Sequence, residues 1–181
     1  IFPAVRNGLS WDGSMYAAPF YGESSFVMYR TDVLEAAGQT MPDAPTWDEV
    51  AAIARAVDTG EMAGICLRGK PSWGDLGAIF TTVVNTFGAT YWLEGEDNTL
   101  GESQVDQPEF KEAVEFYVGL IDEVGEDDAA NSSYNECTAQ MQAGTAAMWV
   151  DATVAASNLE GDDSPIQGQL GYALSPTKLT D

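Results

Sequence analysis

With 181 residues, 29 acidic against 7 basic side chains and no histidine, the chain carries a formal charge of −22. That length holds one substantial domain with a real core, and 45% hydrophobic residues make it globular. The charge repels nucleic acid and anionic membrane, while the missing imidazole excludes Ser-His-Asp, Cys-His and histidine-metal chemistry.

In chain order, residues 1–20 begin in mid-pattern with Ile-Phe-Pro and contain the tight-turn pair Asp12-Gly13. Glu23, Ser24 and Ser25 form a polar island before a strand at Phe26–Tyr29, followed by a helix from Thr31 to Ala37 that Gly38 stops. Thr46 and Glu49 have the spacing of a capping box, and Val50, Ile53, Ala54 and Val57 continue it at helical period. Gly64-Ile65-Cys66-Leu67 is a short buried strand, and Arg68–Ser72 a loop. A long apolar helix is predicted from Trp73 to Phe87, then an acidic hairpin or loop from Tyr91 to Gly101. Pro108 opens a helix to Val124, and a further helix covers Tyr134–Ala143. The pattern ends with a strand at Ala146–Val150, a helix at Asp151–Leu159, an acidic loop at Glu160–Gly168 and a strand at Leu170–Leu174. Strands alternating with helices predict a three-layer α/β/α domain with a mainly parallel or mixed sheet.

Two cysteines, Cys66 and Cys137, are too few for a cysteine-built zinc site. One disulfide closing a long loop and two separate buried thiols are both open. Their apolar, element-like settings favour the thiols. No signal peptide or membrane-spanning run is visible in the sequence.

Four blocks carry a family resemblance: DGSMYAAPFYGESSFVMYRTDVLEAAG at Asp12–Gly38, GICLRGKPSW at Gly64–Trp73, TFGATYW at Thr86–Trp92 and QAGTAAMWVDATVAAS at Gln142–Ser157. Together they resemble the solute-binding proteins of ABC sugar importers, the maltose-binding-protein-like family, and within it the branch that handles sugar alcohols. One departure is Asp75-Leu76, where that branch has Glu-Asn. The resemblance implies a type II periplasmic-binding-protein-like fold, with residues 1–181 forming one lobe of a longer two-lobe protein. It implies an extracytoplasmic location, a polyol or sugar ligand, an ABC permease as partner, no cofactor and no direct membrane insertion.

The resemblance and the residue chemistry together mark Tyr21, Glu23, Ser24, Arg68, Trp73 and Asp151 as ligand-binding candidates. A carboxylate accepts hydroxyl hydrogens, a guanidinium offers five donors in a fixed fork, and an aromatic plate covers the C–H face of a sugar. Each has a structural alternative: Glu23 solvating a strand end, Arg68 in an ion pair, Trp73 in the core, Asp151 capping a helix. Trp149 is read as pointing away from the cleft and Asn135 as a weak candidate. Trp11, Trp47 and Trp92 are assigned to packing or surface. A carboxylate-based glycoside hydrolase using Glu23 and Asp151 is the alternative function.

The surplus of carboxylates fits a halophilic or marine source as well as an acidic extracytoplasmic protein. Either way, counterions relieve the self-repulsion. The melting temperature is expected to rise from low to molar NaCl, and a flat response in both NaCl and KCl would contradict this.

Overall fold

The computed structural model describes residues 1–20, 22–95 and 99–178. Tyr21 and residues 96–98, part of the acidic hairpin or loop expected at Tyr91–Gly101, lie outside the described residues. The helices are α1 (Pro3–Gly8), α2 (Thr31–Ala36), α3 (Trp47–Val57), α4 (Ala78–Thr86), α5 (Pro108–Val124), α6 (Tyr134–Ala143) and α7 (Ala155–Leu159). The strands are β1 (Ser10–Trp11), β2 (Ser14–Met15), β3 (Ser25–Arg30), β4 (Trp92–Glu94), β5 (Leu100–Ser103), β6 (Met148–Ala152) and β7 (Leu170–Leu174). A π-helical turn, Trp73–Gly77, leads into α4, and a 3₁₀ turn, Ala129–Asn131, follows α5.

The central sheet has the order β6-β3-β7, with β3 antiparallel to both neighbours. The segment 63–67 lies beside β6 and runs parallel to it, through bridges Ala63–Ala146 and Cys66–Trp149. Of the two sheet types expected, the mixed one is found. Side chains alternate across this sheet. Val27, Ile65, Leu67, Met148 and Val150 enter a core shared with α3, α4 and α5. Met28, Cys66 and Trp149 enter a second core with Cys137 and Met141 of α6 and Ala155 and Leu159 of α7. With both faces covered, the strands read as continuous apolar runs. Three layers result.

Local chemistry sets most element ends. Thr46 accepts from the Glu49 N–H, and the Glu49 carboxylate accepts from the Thr46 N–H, completing the expected box at α3. Asp12 and Gly13 both have positive φ, so β1 and β2 form a hairpin closed by this pair. Close approach requires glycine at both ends of the segment 64–69. A Cβ on Gly64 would meet the Ala54 carbonyl oxygen at 2.2 Å, and one on Gly69 would meet that of Ala129 at 2.4 Å. These contacts dock both ends of the segment 64–69 onto neighbouring backbone.

Two expectations change. The helix predicted over Trp73–Phe87 is α4 preceded by the π turn, because Gly74 and Gly77 weaken its first turns and Ser72 caps at Asp75 instead. The strand predicted to end at Val150 runs to Ala152, because Ser25 pairs with Ala152, and the following helix starts only at Ala155. Asp151 is therefore a strand residue and not a helix cap.

Cys66 and Cys137 form a disulfide, joining residues 71 apart in sequence across Cα atoms 5.6 Å apart. This corrects the preference for separate thiols: an apolar setting suits a cystine as well as a thiol, and sequence spacing cannot show that the two Cα atoms meet. Glu126 is buried beside it, with Oε1 3.3 Å from Cys66 Sγ and Oε2 accepting from the Leu67 N–H at 3.3 Å. Among the described residues, no helix is long and apolar enough to cross a membrane.

Burial pushes the Glu126 carboxyl above its usual range. An acid whose folded pKa is raised favours the fold fully below its unfolded value near 4.5, and that contribution is lost as pH rises through the folded value. Glu126→Gln keeps an acceptor for Leu67 without the charge. Its melting temperature relative to the native sequence is expected to be higher at pH 7 than at pH 4.5. Thermal denaturation at the two pH values checks this, and an equal offset at both would contradict it.

Candidate functional site

The parallel bridge between Cys66 and Trp149 sets the site. Arg68 stands two residues beyond Cys66, and Asp151 two beyond Trp149. Alternate residues share a face, so the guanidinium and the carboxylate are brought side by side at the end of the sheet. Trp149 is therefore on the face of Asp151.

Asp151 is 1% exposed and Arg68 7%. Arg68 Nε donates to Asp151 Oδ2 at 2.7 Å, Nη2 donates to Oδ1, and Nη1 donates to the Gly74 carbonyl at 2.9 Å. Trp149 Nε1 donates to Oδ2 at 3.0 Å and the Ala152 N–H to Oδ1 at 2.6 Å. Each carboxylate oxygen thus accepts two hydrogen bonds, so Asp151 has no capacity to spare for a ligand hydroxyl. What the structure shows of Asp151, expected as a direct acceptor, is that it holds Arg68. The guanidinium has five N–H groups. Three are used on Asp151 and Gly74, which leaves one each on Nη1 and Nη2.

Further groups hold the arginine. The Tyr134 ring centroid lies 5.2 Å from Arg68 Cζ, a cation–π distance. The Tyr117 hydroxyl donates to the Arg68 carbonyl at 2.8 Å. Burial pushes the Tyr117 phenol up, which keeps it a neutral donor.

Arg68 and Asp151 line a cavity of about 420 Å³ with Glu23, Ser24, Ser25, Thr82 and Asn85. Glu23 reaches it from the segment crossing before β3. Its Oε1 accepts from Thr153 Oγ1 at 2.5 Å and the Val154 N–H at 3.0 Å, tying that segment to the turn after β6. Four of the six candidates therefore converge: Glu23, Ser24, Arg68 and Asp151. Trp73 does not line the cavity. It stands on the π turn, 75% exposed, next to the Gly74 carbonyl that holds Arg68. Tyr21 lies outside the described residues, and Asn135 is exposed on the first turn of α6.

Sequence reading missed Tyr134, Thr82 and Asn85. Thr82 and Asn85 are three apart on a helix otherwise dominated by apolar side chains, a readable sign of a polar stripe on one face. Tyr134 left no comparable sign. Cys66, Glu126 and Cys137 place possible metal-binding atoms together, but both sulfurs are engaged in the disulfide.

The sequence model for the family described as bacterial extracellular solute-binding protein matches residues 1–181. A mannitol-binding protein of Pseudomonas aeruginosa is 36% identical over 184 residues, which cover 100% of this chain and 41% of that protein. An ABC transporter solute-binding protein from Agrobacterium vitis S4, solved with bound D-mannitol, superposes with a TM-score of 0.86 at 45% identity over 97% of this chain and 42% of that one. MalE3 of T. maritima, solved with maltose, gives 0.83 at 26% identity over 97% of this chain and 44% of that one. The chain spans about two fifths of the length of the relatives it matches.

The buried pair generates a stability test. Removing one partner leaves the other charge buried, at a cost of about 3–5 kcal/mol, whereas replacing both by apolar groups is far milder. Arg68→Met and Asp151→Leu alone are each expected to destabilise strongly in urea, and the double variant less than either. Additive losses would contradict the coupling.

Proposed function

This chain belongs to the bacterial extracellular solute-binding protein family, and we propose that it supplies one lobe of a two-lobe receptor for a sugar alcohol or related sugar. The receptor delivers its ligand to an ABC permease. The observation that carries the reading is the cavity lined by Arg68, three of whose five N–H groups are fixed by Asp151 and Gly74. Around it, the hydroxyls of Ser24, Ser25 and Thr82 and the amide of Asn85 offer both donors and acceptors. A molecule with a hydroxyl on every carbon matches such a wall. Glu23 supplies a carboxylate at the rim, and Trp73 an exposed apolar plate one residue from the arginine's carbonyl anchor. Tyr21 belongs to the same proposed site.

The relatives named above, which bind mannitol or maltose, support this ligand class. The disulfide supports an oxidising, extracytoplasmic location. The hydrolase alternative needs two carboxylates able to act on a glycosidic bond, and Asp151 has both oxygens saturated. Aryl glycoside turnover would restore that alternative.

Calorimetry with D-mannitol, ribitol and maltose tests the reading. The two-lobe protein is expected to bind at least one of them, and residues 1–181 alone to bind it far more weakly, since one wall leaves the other side of the ligand in water. Submicromolar binding by the isolated chain would refute the two-wall site. In the two-lobe protein, Trp73→Ala is expected to weaken binding by about 1 kcal/mol through lost contact area, with the melting temperature unchanged because the ring is exposed. Unchanged affinity would remove Trp73 from the site.

A further inference from the structure

Arg68 carries the cavity's only positive charge among the residues that line it, so what fixes the guanidinium governs what the cavity can hold. Asp151 and Gly74 fix it from the sheet and the π turn. A third restraint comes from α6. Tyr134 and Cys137 are three residues apart on that helix, one turn, and therefore share a face. Cys137 is bonded to Cys66, and Cys66 stands two residues before Arg68 on the same side of the segment 63–67. One covalent bond therefore joins the two elements that bear the guanidinium and the ring lying over it. The ring is braced from behind, with its centroid 5.2 Å from that of the fully buried Trp149. Asn158 Nδ2 of α7 donates to its hydroxyl at 2.9 Å. Trp149 in turn donates to Asp151. The contacts from ring to guanidinium to carboxylate to indole and back to the ring form a closed loop, which the disulfide joins through α6 and the segment 63–67.

We propose that the Cys66–Cys137 disulfide and Tyr134 act as one positioning unit for Arg68, so that ligand affinity depends on the oxidised state of this bond. The inference rests on the polyol-binding reading above. Reduction by a dithiol breaks the S–S bond and forms two thiols, the dithiol giving up two electrons and two protons as it closes to its own disulfide. The released α6 keeps its apolar contacts, but the Tyr134 ring is no longer held in register with Arg68. Both sulfurs are fully buried, so the bond is protected from external thiols while the fold is intact.

The test is D-mannitol calorimetry on the two-lobe protein at a temperature where every variant is folded by circular dichroism. Cys66→Ala/Cys137→Ala and Tyr134→Leu are each expected to weaken binding about tenfold or more, the loss expected when hydrogen bonds to a charged group are misplaced. Tyr134→Phe, which keeps the ring, is expected to stay near the native value. Combining Tyr134→Leu with the cysteine-free pair is expected to add little, since both act through one guanidinium. In an Arg68→Met/Asp151→Leu background, removing the cysteines is expected to leave the residual affinity unchanged, a result that a merely stabilising disulfide would not produce. Equal affinities with and without the disulfide, or additive losses, overturn the inference and leave the functional reading standing. Should the cysteine-free protein fail to fold, Tyr134→Leu and Tyr134→Phe in the oxidised protein decide it: equal binding by both overturns it. A native protein that binds neither mannitol, ribitol nor maltose overturns the functional reading, and this inference with it.

Discussion

A charge taken out of water must be fully matched, and this constraint organises the cavity end of the molecule. Asp151 is almost completely buried, where an unpaired carboxylate would cost several kcal/mol. It is tolerated because four donors surround it: two from Arg68, one from Trp149 and one from its own strand. Satisfying the carboxylate requires the segment 63–67 to run parallel to β6 in one register only. A slip by one residue would turn Arg68 and Cys66 to the opposite face. The ion pair, the disulfide and the strand register therefore specify one another.

The two cores divide the work. The larger one, with α3, α4 and α5 against the sheet, is ordinary close packing of aromatic and branched side chains, such as Phe80 edge-on to Phe110 and Tyr117. The smaller one contains the disulfide, Trp149 and the edge of Tyr134, and it lies directly beneath the guanidinium. A residue in the first core contributes mainly to folding free energy. A residue in the second also sets the aim of a charged group at the cavity wall.

Much of this was legible in the sequence because it is local. The capping box of α3, the span of α5 from Pro108 to Val124 and the Asp12-Gly13 turn depend on neighbouring residues, and all are found. The convergence of Glu23, Ser24, Arg68 and Asp151 was also expected, through the resemblance and the rule that sheet strands open on ligands at their carboxyl ends. What was not legible depends on pairing between distant segments. The disulfide needs two Cα atoms to meet, the late start of α7 follows from Ser25 pairing with Ala152, and the Tyr134 contact follows from both. The four hydrogen bonds that Asp151 accepts are visible only once its partners are placed.

The backbone docking of Gly64 and Gly69 has a consequence for how such a cavity can diversify. Both positions press directly on carbonyl groups, where even a methyl group would collide, so the ribbon carrying Cys66 and Arg68 has no steric latitude at either end. Inherited variation there is confined to the side chains between them. The rest of the cavity wall is different in kind: Ser24, Ser25, Thr82 and Asn85 border open volume, with the Ser25 and Thr82 hydroxyls bonded to each other at 3.2 Å. New solute preferences would therefore accumulate on that wall, around an arginine that stays where it is.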